Sequence, residues 1–142
     1  LPDKTREAEW FDAEGRRYIR SGDVGRLDAD GFIVLGDRKK DMIITGGFNV
    51  YPSDIEAVLC QHPQVAECAV VGVPSEQWGE TPVAYVVGRS GSQPTAEELR
   101  EWLNTRVGKT QRVADLRLVE RLPRSEIGKV LKRELRDGYG AR

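Results

Sequence analysis

An α+β fold is what this 142-residue sequence predicts. Runs rich in β-branched residues alternate irregularly with amphipathic segments that open on Ser/Thr-x-x-Glu boxes, and Asp-Gly and Gly-Gly dipeptides cut the strand-like runs into hairpins. The first such unit is "DVGRLDADGFIVLGD", where apolar runs at 24–27 and 32–35 flank the turn dipeptide Asp30-Gly31 and predict a β-hairpin. In "RKKDMIITGGFNVYP", residues 42–44 and 48–51 flank Gly46-Gly47, predicting a second tight hairpin or loop. Paired glycines permit positive φ and close approach of the backbone to a partner. Ser53 and Glu56 form a capping-box pattern, and Ile55, Val58 and Leu59 share one helical face before Pro63 stops the run. "VAECAVVGVP" and "TPVAYVVG" read as strands separated by the polar loop "SEQWGE". Thr95 and Glu98 repeat the box ahead of Leu99, Trp102 and Leu103, a second helix expected to end near Gly108. "LRLVERLP" predicts a further strand, and Leu131 and Leu135 mark a last helix terminated at Gly138. The result is a small sheet with helices over about residues 41–138, preceded by a hairpin of different character. "GRSGSQ" (88–93) and "PRSEIGK" (123–129) read as the flexible segments, because small, polar, Pro and Gly residues concentrate there.

Composition bounds the class. With 39% hydrophobic and 32% charged residues, the chain suits one globular core. It has no run of about 18 apolar residues and no signal-like start, so no membrane span is expected and the chain is read as cytoplasmic. It opens on "LPDKTREAEW" and its one methionine is Met42, as expected of part of a longer protein. Cys60 and Cys68 lack metal or redox spacing and are read as buried small hydrophobes. Although the net charge is −1, residues 106–142 hold 11 Lys/Arg against 5 Asp/Glu, a cationic face suited to an anionic small molecule. A basic tail is equally compatible with a solvated helix, and no aromatic interleaving supports nucleic acid.

Two candidate sites fall away at once. "GKT" at 108–110 resembles the end of a phosphate loop, but Leu103 stands where that motif needs its first glycine. His62, before Pro63 at a helix end, has no obvious Ser, Cys or carboxylate partner and is read as a surface or capping residue; no metal cluster can be assembled. Asp23, at the entrance to a hairpin, offers two acceptor oxygens to a sugar diol, Arg38 a fork of donors to ribose or phosphate, and Lys129 a compact charge to phosphate and carboxylate oxygens. Taken singly, Asp23 reads as a turn-capping acid and Arg38 and Lys129 as solvated surface cations.

Their order and spacing change that reading. "YIRSGDVGRLDADGF", "LGDRKKDMIITGGFNVYPSDIE" and "LPRSEIGKVLKREL" together resemble the C-terminal end of the adenylate-forming (AMP-binding) superfamily of acyl-CoA synthetases, peptide-synthetase adenylation domains and luciferases. The resemblance runs from about residue 10 to 137. It implies that residues 1–39 end a large N-terminal domain, and that 40–142 form the small mobile C-terminal domain. That domain is a short hairpin and a small mixed sheet packed by helices. The family makes an acyl-adenylate from a carboxylic acid and ATP with Mg2+, then a thioester with coenzyme A. By resemblance, Asp23 binds the ribose hydroxyls and Arg38 the ribose or phosphate. Lys129 bridges the substrate carboxylate and the α-phosphate, and Lys40 is the hinge of domain alternation. Gly46 and Gly47 let a pantetheine arm pass beside Trp78, and Arg112 is the candidate for the coenzyme A phosphates. "GKTQRVADLRL" departs from the family's commoner K-x-x-x-P run there.

"IITGGFNVYPSDIE" is closer to acyl-CoA ligases than to peptide-synthetase domains, so a coenzyme A acceptor is favoured. The acyl group stays open among fatty, aromatic and dicarboxylic acids, with fatty or aromatic preferred. The alternatives are the matching subdomain of a peptide synthetase and a non-catalytic binding module. Without the large domain, this piece is expected to be inactive.

Overall fold

The computed structural model describes residues 2–140, and the chain divides into two compact units, Leu1–Lys40 and Asp41–Arg142. The first unit holds helix α1 (Pro2–Ala8) and two antiparallel hairpins, β1 (Glu9–Phe11) with β2 (Arg17–Ile19) and β3 (Asp23–Leu27) with β4 (Ile33–Arg38). The β3–β4 hairpin turns where Asp-Gly predicts it. Asp28 accepts hydrogen bonds from the backbone N–H groups of Asp30 and Phe32 at 3.0 and 2.9 Å, fixing the turn. Helix α1 and the β1–β2 hairpin were not foreseen: three-residue strands carry too little periodicity to register. No described residue of this unit is buried.

The second unit contains a five-stranded mixed sheet. Strands β5 (Ile43–Thr45) and β6 (Phe48–Val50) form the Gly-Gly hairpin, β7 (Val65–Ser75) and β8 (Gly79–Gly88) a long antiparallel pair, and β9 (Asp115–Leu118) runs parallel to β8. Strand β5 meets β8 at Thr45 opposite Gly79. Residues 75, 79 and 80, expected in the loop, are paired, so only 76–78 form the tip between β7 and β8. Helices α2 (Pro52–Leu59), α3 (Ala96–Asn104) and α4 (Lys132–Asp137) cover the sheet.

Alternation along β7 and β8 sends neighbouring side chains to opposite faces. Val70, Ala84 and Val86 join Ile55 and Leu59 of α2 and Leu99 and Leu103 of α3 in one core cluster. Val71, Val73, Val83 and Tyr85 join Leu135 of α4, and Leu122 from the segment after β9, in the other. Burial on both faces explains why these strands read as nearly continuous apolar runs. The Tyr85 hydroxyl donates to the Leu135 carbonyl at 2.9 Å, tying α4 to the sheet.

One cap holds and one does not. Thr95 and Glu98 form the reciprocal box at the start of α3. At α2, Pro52 takes the first helical position, for which its fixed φ suits it, so Tyr51 is the N-cap and Ser53 lies inside the helix. Glu56 is thereby released from capping. Its Oε1 accepts from the Val70 N–H at 2.7 Å and pairs with Lys132 at 2.8 Å. Helix α3 also ends at Asn104, four residues before Gly108, with a separate 3₁₀ turn at Lys109–Gln111.

Candidate functional site

Most of the residues singled out from sequence fall into three clusters, each inside one unit. In the first unit, Asp23 and Arg38 lie opposite each other in the β3–β4 register, and Arg38 Nε stands 3.5 Å from Asp23 Oδ1. Gly22, with φ 77°, leads into Asp23, and its carbonyl accepts from the Lys39 N–H at 2.8 Å. The Ser21 hydroxyl accepts from the Asp23 N–H at 3.3 Å. Ser21, Gly22, Arg38, Lys39 and Lys40 line an open depression of about 300 Å³ beside the pair. Both side chains stay partly exposed, so a carboxylate and a guanidinium are presented together at the rim of a concave surface. Lys40 lies in a 3₁₀ turn, Lys39–Asp41, that straddles the division between the two units.

The second cluster is built on the β5–β6 turn. Gly46 and Gly47 adopt φ 55° and 84°, the positive pair that a two-residue hairpin turn demands. The Gly46 N–H donates to the Trp78 carbonyl at 2.9 Å. A Cβ placed on Gly46 would come within 3.1 Å of the Trp78 ring, whereas one on Gly47 would meet open space. Trp78, at the tip of the β7–β8 hairpin, stays 49% exposed, so its ring packs on the Gly46 backbone and still presents a flat surface to solvent. Sequence reasoning named these residues, but their contact links positions 32 apart that no local pattern connects.

The third cluster carries Lys129. Arg124 and Val130 bridge antiparallel, the Ser125 N–H donates to the Lys129 carbonyl at 2.8 Å, and the Gly128 N–H donates to the Ser125 carbonyl at 2.8 Å. Gly128 has φ 80°, giving a three-residue hairpin loop closed by a left-handed glycine. The Ser125 hydroxyl accepts from the Lys129 N–H at 3.2 Å. The segment expected to be a loose loop is therefore a braced turn. Lys129 projects from it exposed, and its ammonium makes no ion pair with another described residue. Arg112 caps the 3₁₀ turn at 109–111 and is likewise exposed and without an ion pair among the described residues. It belongs to neither cluster of its unit.

Sequence reading missed the side chains that brace this turn: Ser125, Arg124, which donates to the Gly128 carbonyl and pairs with Glu67, and Lys132, which pairs with Glu56. The four-residue spacing from Ser125 to Lys129 was the one local signal available. His62 accepts a hydrogen bond from the Gln64 N–H at 3.2 Å and packs edge-on against Trp102, a structural position. Cys60 corrects another expectation: it is exposed, with its sulfur 3.5 Å from that of half-buried Cys68, and both thiols are free. Among the described residues no group of His, Cys, Asp and Glu could hold a metal ion, and no helix is long and apolar enough to cross a membrane.

Residues 54–129 match the AMP-binding enzyme C-terminal domain. A fatty acid–[acyl-carrier-protein] ligase, ScoC from Streptomyces coeruleorubidus, is 43% identical over 139 residues, 98% of this chain and 26% of its own. The long-chain-fatty-acid–CoA ligase FadD13 of Mycobacterium tuberculosis is 40% identical over 99% of this chain and 27% of its own. ATP-bound MatB from Rhodopseudomonas palustris aligns with a TM-score of 0.86 at 37% identity, covering 98% of this chain and 27% of that one. The chain thus spans about a quarter of the length of the relatives it matches.

Proposed function

This chain belongs to the AMP-binding enzyme C-terminal domain family, and from that premise we propose that it is the closing part of an ATP-dependent acid–thiol ligase. In the first half-reaction, a carboxylate oxygen attacks the α-phosphorus of ATP and pyrophosphate leaves. In the second, a thiol attacks the acyl carbon of the adenylate and AMP leaves. The observation that carries the reading is the exposed ammonium of Lys129, without an ion pair among the described residues, on a braced turn. Two anions must be brought together in the first step, and charge grows on the phosphoryl oxygens as attack proceeds. A fixed cation between them offsets the repulsion and strengthens as that charge develops.

Asp23 and Arg38 suit the nucleotide end of such a site. The carboxylate accepts from both hydroxyls of a ribose, and Arg38, with Nε turned toward Asp23, keeps its remaining N–H groups for ribose or phosphate oxygens. The Gly46–Trp78 contact suits a different ligand, a slender uncharged chain such as a pantetheine arm, because the Trp78 ring packed on the Gly46 backbone keeps a flat face toward solvent and Gly47 leaves open space beside it. Arg112 is proposed for the phosphates of coenzyme A, and the division of the chain directly after Lys40 supports that residue as the hinge between the two half-reactions. Magnesium arriving with ATP finds no ligand cluster among the described residues, so its partners would be the nucleotide phosphates and groups elsewhere.

Relatives that act on fatty acids support a fatty acid substrate, with coenzyme A or a carrier protein as the acceptor. The test is acid-dependent exchange of pyrophosphate into ATP by the longer protein across fatty, aromatic and dicarboxylic acids. Exchange is expected with a fatty or aromatic acid, with Asp23→Ala raising the KM for ATP about tenfold or more through loss of a charged hydrogen bond. No exchange with any carboxylic acid contradicts the proposal.

A further inference from the structure

The tip of the Lys129 turn has little to pack against. Residues 126–129 are all exposed, Ile127 at 90%, and nothing lies within 4 Å of a Cβ built on Gly128. At the foot of the turn Leu122 is buried, but beside it Glu67, Arg121 and Glu134 border an open cleft of about 630 Å³. Apolar burial therefore anchors the foot without directing the tip.

Direction comes from one guanidinium. Arg124 Nη1 donates to the Gly128 carbonyl at 2.6 Å, while Nη2 of the same group pairs with Glu67 on β7. The carbonyl it grips belongs to the peptide bond that leads into Lys129. A planar fork with donors at fixed angles can hold a carbonyl and a carboxylate at once; an ammonium on a flexible stem cannot fix both directions. Just beyond the turn, Lys132 is held by Glu56, whose carboxylate also satisfies the Val70 N–H, so the chain is tied to the sheet on both sides of Lys129.

We propose that Arg124 is the positioning residue for Lys129, orienting the Gly128–Lys129 peptide against β7 through Glu67. This rests on the reading of Lys129 given above. Because Arg124 and Glu67 are partly exposed, solvent screens the pair, and its value lies in orientation more than in stability. Misplacing a reacting group by about 1 Å costs up to roughly a hundredfold in rate, so loss of the fork should register in the one step that uses Lys129.

A double-mutant cycle in the longer protein tests this, with both half-reactions measured. Arg124→Ala is expected to slow acyl-adenylate formation about tenfold, to leave thioester formation from supplied adenylate within about twofold, and to add nothing on a Lys129→Ala background. Arg124→Lys, which keeps the charge and loses the fork, should recover only part of the loss. Equal damage to both half-reactions, or losses that multiply in the double mutant, overturns the positioning role. If Lys129→Ala itself spares adenylate formation, the functional reading fails instead, and with it the catalytic part of this proposal. Brief trypsin treatment of the 142-residue chain separates the two cases. Cleavage after Lys129 should accelerate several-fold in both Arg124→Ala and Glu67→Gln, and an unchanged rate overturns the clasp whatever the chemistry.

Discussion

Gly46 shows how much one missing side chain can decide. Any L-residue there pays for a left-handed backbone, about 1–2 kcal/mol, and also drives a Cβ to within 3.1 Å of the Trp78 ring. Gly47 carries the same backbone demand with open space around it. Gly46→Ala is therefore expected to destabilise the second unit more than Gly47→Ala in thermal melts, and to slow the thiol half-reaction more; equal effects would remove Trp78 from the account. The two cysteines differ just as sharply. Burial, and then the neighbouring Cys60 sulfur, push the Cys68 thiol far above its ordinary value of 9.0. A disulfide reagent at pH 8 should label exposed Cys60 rapidly and Cys68 slowly. As pH rises past about 9, the unfolded chain releases a proton that folded Cys68 retains, so stability falls with pH there. Neither effect was legible in the sequence, since both depend on contacts across separate elements. Asp23, Arg38 and Lys129 could be singled out because each sits within a local motif.

At the scale of elements, the two capping-box patterns divide by what precedes them. Thr95 caps α3 and Glu98 reaches back to it, and these hydrogen bonds from Thr95 hold the Glu98 carboxyl below its ordinary value. Its contribution is present above that ordinary pKa of 4.5 and is lost as pH falls through the lowered one. Thr95→Ala should cost about 1 kcal/mol in denaturant melts, and Ser53→Ala, inside α2 after Pro52, distinctly less. The reverse order would mean that α2 is capped as its sequence pattern suggested. Long, β-branched, Pro- and Gly-bounded runs made β7 and β8 easy to read. The short β1, β2 and α1 left no periodic trace, and the dual role of Glu56 came into view only once α2 was packed on β7.

For the whole molecule, burial is concentrated in one place. Both core clusters lie in the second unit, while the described residues of the first form paired hairpins without a buried side chain. Two-stranded hairpins are marginal alone, so amide exchange should leave β1–β4 nearly unprotected and reach its maximum in β7 and β8. Strong protection of β3 and β4 in the 142-residue chain would contradict that division. Calorimetry on the same chain should find ATP binding far weaker than micromolar, because the proposed site offers only Asp23, Arg38, Lys129 and a few neighbours to the nucleotide. Lys129 is the residue on which the proposed ligase chemistry depends most directly. With Lys129→Ala in the longer protein, acyl-adenylate formation, followed as pyrophosphate release, should fall a hundredfold or more while thioester formation from supplied adenylate is largely preserved. Equal loss in both half-reactions, or adenylate formation that proceeds unimpaired, would contradict it.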